Sequence, residues 1–292
     1  VRLIFLTIFV LIGFASNSLL TRAAISGGHL DPWTFMLVRL LTGTAMLSAL
    51  VRLRRAPTRD RGSWLMGLGL GGYAVLFTLA YVRVEAGPGA LLLFGSVQLT
   101  MFIAAHAHGE RLSGLHWVGV ALSLAGFLVL TLPGITAPDP IGAALMAGAG
   151  LSWGAYSLLG RRSADPLSVT ADNFLRASGI VLLAALAHGL GGPYSVTGFA
   201  LAAASGAIAS GLVYAAWFAL LPALPVWRAA TIQLAVPVLI ALGATLVLDE
   251  ALTPRLVAAM TLLVAGIWLI TVNPATQPGA AQHRQGVSGR RQ

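Results

Sequence analysis

Residues 109–131 read GERLSGLHWVGVALSLAGFLVLT, and residues 249–271 read DEALTPRLVAAMTLLVAGIWLIT. Laid one on the other, Glu110 meets Glu250, Leu112 meets Leu252, Leu122 meets Leu262, Ala125-Gly126 meets Ala265-Gly266 and Thr131 meets Thr271. Each copy sets an acidic residue and a short polar turn before an unbroken apolar run of about 20 residues, the length an α-helix needs to cross a bilayer. Each therefore marks the last helix of a half-protein. A second echo ties the fronts of the halves together: GFASNSLLTR, Gly13 to Arg22, against SWGAYSLLGR, Ser152 to Arg161. The chain reads as one unit, duplicated.

Ten apolar segments can be drawn, at about 3–24, 32–51, 63–83, 88–107, 114–133, 141–160, 167–188, 197–221, 228–248 and 253–273. With 57% apolar and 9% charged residues and a mean hydropathy of +0.85, the chain departs from soluble domains, whose charged fraction runs near 25%. Backbone polar groups find no water in hydrocarbon, so the segments are expected to be helices. Their starts carry the right signals: Asp31-Pro32 sets an N-cap before Pro at the first helical position, and Pro140 and Thr253-Pro254 repeat the device. The first segment is too long for the apolar part of a signal peptide and reads as a retained helix.

The arginines orient the helices. With a cytoplasmic N-terminus, the inner segments hold Arg2, Arg52, Arg54, Arg55, Arg59, Arg61, Arg111, Arg161, Arg162, Arg228, Arg284, Arg290 and Arg291, against Arg22, Arg83 and Arg255 outside. That is the positive-inside pattern, and it places both termini on the cytoplasmic side of the membrane. Five helices per half is an odd number, so the second half enters the membrane from the opposite side. The expected fold class is all-α integral membrane, ten transmembrane helices as two inverted five-helix repeats. The divisions are a first repeat at 1–133, an external linker at 134–140, a second repeat at 141–273, and a Pro-, Gly-, Gln- and Arg-rich tail at 274–292 read as disordered and cytoplasmic. Such construction serves secondary transporters, whose similar halves can expose one central site alternately.

The same placement of charge explains the net +9 without nucleic acid as a partner. Absent cysteine excludes disulfides, thiolate metal sites and cysteine nucleophiles. No cofactor or metal is expected. GLGLGG at Gly67–Gly72 fits a dinucleotide-binding pattern but lies inside an apolar span with no preceding strand. Those glycines, with Gly150 and Gly154, fit close helix approach instead. The partners are a small-molecule substrate and membrane lipid; a monomer is compatible with the sequence.

A central site would be lined by polar and aromatic residues at mid-helix. Tyr73, Phe77 and Tyr81 recur every four residues in the third segment and share one face; they line a cavity or simply pack. Tyr214, Trp217 and Phe218 cluster in the eighth segment, and Trp153 with Tyr156 in the sixth. Gln98 and Gln233 are amides within the fourth and ninth segments, which must bond a neighbouring helix or face a wet cavity. Asn17 and Tyr156 hold matching positions in the front echo. Arg39 and Arg176 are charges well inside corresponding helices, and they act as gate or anion contacts or reach an interface structurally. Glu110 and Glu250 begin the fifth and tenth segments, where the helix dipole favours a carboxylate. No Asp or Glu lies at mid-membrane, so a carboxylate proton relay has no candidate, which favours facilitated diffusion or coupling of another kind.

Two five-helix halves, the Trp153-Gly154 pair, Pro237 ahead of Glu250, and E-x-L followed by Ala-Gly near the end of each half together resemble the EamA-type drug/metabolite transporter superfamily over residues 1–273. Within it the aromatic-rich interior resembles the YddG branch of aromatic amino-acid exporters. The resemblance implies a cavity between the halves built from segments 1, 3, 4, 6, 8 and 9. The chain departs from that pattern where Val97-Gln98 stands opposite Pro237-Val238. The function expected is export of aromatic or large neutral amino acids by alternating access, with Gln98, Tyr73, Phe77, Tyr81, Asn17, Trp153, Tyr156, Tyr214, Trp217 and Gln233 as binding residues. The alternatives are other metabolites or drugs (a nucleobase, a sugar phosphate, a cationic drug) or a membrane-embedded enzyme.

Overall fold

The structure, a computed structural model, describes residues 2–54, 60–107, 114–132, 134, 137–160, 163–220, 233 and 235–272. Ten helices carry them: α1 (Arg2–Ser26), α2 (Pro32–Leu53), α3 (Trp64–Ala80), α4 (Ala86–Ala107), α5 (Gly114–Thr131), α6 (Pro140–Gly160), α7 (Pro166–His188), α8 (Val196–Leu220), α9 (Ala235–Val247) and α10 (Pro254–Val272). Six of them (α1, α2, α4, α5, α7 and α8) are long and apolar enough to cross a membrane, while α3, α9 and the apolar stretch Pro254–Ile270 of α10 are shorter.

Side-chain caps begin the Pro-led helices. Asp31 accepts from the Thr34 amide at 2.9 Å, Asp139 from Gly142 at 2.8 Å, Asp165 from Ser168 at 3.4 Å and Thr253 from Leu256 at 3.2 Å, each satisfying an amide that the first helical turn leaves free. The third apolar segment stops earlier than residue 83. The amides of Val82 and Arg83 turn back to Leu79 and Ala80, which frees the chain to start α4 at Ala86. In the eighth segment six residues, Ala207–Leu212, form a π-helical turn. The tail and residues 228–232 of the ninth segment lie outside the described residues.

The interior is built by pairs. α3 and α4 pack on α6, α2 and α3 pack on α7, α8 crosses α1 and α2, and α9 lies between α1 and α4. α5 and α10 pair with each other at one side and meet the rest through α4. Small residues permit these approaches: a Cβ on Gly67 would stand 2.8 Å from the Arg176 Cβ, and one on Gly154 2.8 Å from the Thr100 Cβ. On the α5–α10 seam a Cβ on Gly119 or on Gly266 would each come 2.5 Å from the other's carbonyl oxygen, and one on Gly126 2.9 Å from that of Ala259. Outward faces carry Ile4, Phe5, Leu128, Leu183 and Leu246, all exposed, an apolar surface that suits lipid and not water.

Candidate functional site: an aromatic cavity

Tyr73 and Phe77, one turn apart on α3, face α6, where Trp153 and Tyr156 answer them. Ring centroids lie 5.1 Å apart for Tyr73–Phe77, 5.0 Å for Tyr73–Trp153 and 5.6 Å for Trp153–Tyr156. α8 contributes Tyr214, 4.8 Å from Trp153. From α1, Phe14 sets its edge against Trp153, Tyr214 and Trp217 at 6.4, 6.1 and 5.7 Å. Tyr81 closes the row edge-on to Phe77 at 4.8 Å. Edge-to-face and tilted contacts at these spacings are favourable, so the rings hold one another in place.

Among them lies a small cavity of about 20 Å³, lined by Phe14, Asn17, Ser18, Tyr73, Leu93, Phe94, Trp153 and Tyr214. That is room for about one water. An amino acid is larger than this space.

Its polar end is a chain of hydrogen bonds. The Ser205 hydroxyl donates to Asn17 Oδ1 at 3.1 Å, Asn17 Nδ2 donates to Ser210 Oγ at 3.3 Å, and Arg39 Nε donates to that same oxygen at 3.2 Å. Ser210 lies on the π-turn of α8, a local irregularity that often marks functional positions. The Arg39 guanidinium sits 5.6 Å from the Tyr73 ring centre and 5.2 Å from that of Phe77, within range of cation–π attraction.

Polar ties close both ends of the bundle. Where α1 and α3 end and α4 begins, Glu250 takes Arg22 Nε at 2.9 Å and the Ala86 amide at 2.6 Å, while Arg22 Nη1 donates to the Tyr81 carbonyl at 2.7 Å. Glu85 beside it has its pKa raised by loss of water and, less, by the Glu250 charge, against the opposing pull of Arg22. At the other end Arg54 grips Asp165 with two bonds of 2.7 Å, an ion pair that raises the arginine's pKa. The Gly62 amide donates to Asp172 at 2.9 Å and that of Ser63 to Asn173 at 3.2 Å.

Comparison with known proteins shows the family of the chain. The model of the EamA-like transporter family matches residues 1–132 and 140–272. The chain belongs to that family. It is a multi-pass membrane protein of a transporter family. It is 48% identical over 274 residues to an uncharacterized protein of Pseudomonas aeruginosa, covering 92% of this chain and 94% of the other. It is 30% identical to the threonine/homoserine exporter RhtA of Escherichia coli K12, over 78% of each chain. A probable amino-acid metabolite efflux pump of Salmonella typhimurium is 25% identical, over 91% and 93% of the two chains. One solved crystal structure superposes with a TM-score of 0.69 at 21% identity, over 93% of this chain and 97% of that one, a likeness of fold.

In this family member the structure brings Asn17, Tyr73, Phe77, Tyr81, Trp153, Tyr156, Tyr214 and Trp217 into one neighbourhood. It sets Gln98 elsewhere, in a groove with Phe102, Ser123, Phe127 and Ile270 between α4, α5 and α10. Gln233 is buried but lines neither space. The two buried-segment arginines separate as well. Arg176 pairs with Asp172 at 2.7 Å and lies over Trp64 near the end of the bundle, whereas Arg39 is 2% exposed beside the aromatic rings. Phe14 also lines the cavity, and Ser205 and Ser210 bond Asn17 at its edge, although the sequence reading passed over all three. Their signal was slight: Phe14 precedes Asn17 by one turn, and the serines are isolated hydroxyls in an apolar span.

Proposed function

We propose that this chain is an exporter of neutral amino acids in a bacterial inner membrane, with both termini cytoplasmic, and that aromatic or large neutral side chains are its first substrates. The observation that carries this reading is the cavity itself, in which Phe14, Tyr73, Trp153 and Tyr214 form apolar walls and Asn17 stands at a polar end. Aromatic walls hold an apolar side chain, and a few convergent polar groups hold its backbone end. Threonine or homoserine is the second reading, favoured by the likeness to RhtA.

Transport proceeds by rocking of two inverted five-helix halves around this cavity. Support comes from the packing: exchanging each helix with the one five places on turns α3–α6 into α8–α1, α3–α7 into α8–α2 and α4–α6 into α9–α1, and returns α5–α10, α2–α7 and α4–α9 to themselves. The two stretches matched by the family model agree with that division. The arginine asymmetry supports the orientation.

Efflux of tritiated phenylalanine, leucine, threonine and a sugar phosphate from proteoliposomes tests the substrate. Phenylalanine and leucine are expected to move; absence of movement for every amino acid would remove the reading. Single cysteines added at the termini of this cysteine-free chain test topology, and labelling of the two from opposite faces would sink the inverted arrangement.

A further inference from the structure

Arg39 is the charged group beside the cavity, and its surroundings leave it chemically incomplete. It is 2% exposed, and no hydrogen-bond partner meets its Nη1. Among the described residues the arginines paired with carboxylates are Arg22, Arg54, Arg83 and Arg176, and Arg39 has none. Among the described residues its cation meets the faces of Tyr73 and Phe77 and the Ser210 oxygen. That hydroxyl is shared with Asn17 Nδ2, and both contacts are long, at 3.2 and 3.3 Å. The site therefore holds more donors than acceptors, and a buried guanidinium without a counter-charge is costly.

We propose that Arg39, with Asn17, anchors a single carboxylate of the transported molecule, and that Ser210 is the placeholder acceptor the carboxylate displaces. The proposal rests on the reading above that the cavity receives the transported solute. Geometry supports the route. Asn17 and Tyr73 both line the cavity, Asn17 bonds the same oxygen as Arg39, and the Tyr73 ring lies under the guanidinium, so the anchor is one side chain behind the cavity wall. The acceptor to be displaced sits on the π-turn Ala207–Leu212, where the α-helical ladder is already interrupted. One guanidinium matches one negative charge; a phosphate dianion would leave charge uncompensated in the membrane interior. The ammonium of a zwitterion would face the rings of Trp153 and Tyr214, which attract cations.

Binding of phenylacetate, phenylacetamide, L-phenylalanine and L-phenylalaninamide to the purified full-length chain, followed by tryptophan fluorescence, tests the anchor. Each carboxylate is expected to bind about tenfold or more tighter than its amide, the increment a charge-assisted bidentate contact supplies. Arg39→Gln should erase that preference while leaving amide binding in place, and Arg39→Lys should keep part of it. Equal binding of carboxylate and amide by the parent protein, or a preference that survives Arg39→Gln, overturns the proposal. Should Arg39→Gln fail to fold, Ser210→Ala decides: removing the placeholder should raise the preference, and an unchanged or lower value counts against it. Phenylacetate held through Arg39 alongside immobile amino acids would remove the amino-acid reading and keep the anchor. Amino-acid efflux with no carboxylate preference would do the reverse.

Discussion

Arg22 and Glu250 lie 228 residues apart in the chain and meet 2.9 Å apart, joining the end of α1 to the turn before α10. Glu250 also takes the Ala86 amide, and Arg22 also holds the Tyr81 carbonyl, so one ion pair binds four segments. Both side chains are largely buried. Arg22→Gln should therefore lower stability by about 2 kcal/mol, because it leaves a carboxylate beside Glu85 without its cation. The measurement is the thermal midpoint in detergent, and the double change Arg22→Gln with Glu250→Gln should recover part of the loss. A double variant as unstable as the sum of both single changes would contradict the coupling.

Glu85 gives this end a pH dependence. Loss of water and the neighbouring Glu250 raise its pKa in the folded chain above an unfolded value of about 4.3. The folded state then binds the extra proton, so the contribution is full below the unfolded pKa and is lost as pH rises through the folded one. Glu85→Gln should be more stable than the parent near neutral pH, with the advantage shrinking as pH falls into the carboxylate range. Midpoints measured across that window check it; an advantage that grows toward acid would reverse the sign.

Trp153 touches Phe14, Tyr73, Tyr156 and Tyr214 and lines the cavity. Trp153→Ala removes a ring from a buried cluster, for a loss of about 3–5 kcal/mol, and should cut folded yield as well as flux. Trp153→Phe keeps most of the packing and should fold normally while moving substrate more slowly. Parent-like flux from the Phe variant would place substrate elsewhere.

Asn17 and Gln98 are both membrane amides, but only Asn17 lines the aromatic cavity and bonds Ser205 and Ser210. Asn17→Ala should reduce flux several-fold, while Gln98→Ala, in the groove between α4, α5 and α10, should leave it nearly unchanged. Initial efflux rates normalised to folded protein make the comparison, and the opposite order would move the site toward that groove.

The helices were legible because hydrocarbon leaves the backbone one solution and because Asp or Thr before Pro starts a helix visibly. Helix starts at Pro32, Pro140 and Pro254 followed from those signals. The aromatic stripe at Tyr73 and Phe77 was legible from four-residue spacing. Gln98 shows the limit: a position along a helix is written in the pattern of apolar residues, but the direction a side chain faces depends on rotation against neighbours. Thus α4 turns Leu93 and Phe94 to the cavity and Gly95, Gln98 and Leu99 away from it. The π-turn left no trace in composition, and Ser210 was hidden with it.

The glycine seam between α5 and α10 has a consequence for how such a chain could arise. Gly119 lies against Gly266 and Gly126 against Ala259, and adding the spacing of the repeat, which takes Gly126 to Gly266, takes Gly119 to Ala259. Each partner in one contact is thus the counterpart of a partner in the other, the mark of a self-complementary surface. On the inverted arrangement proposed above, a gene encoding five helices alone would yield a product able to clasp an oppositely inserted copy of itself along that seam, and fusion would then only make permanent an embrace that separate chains could already form.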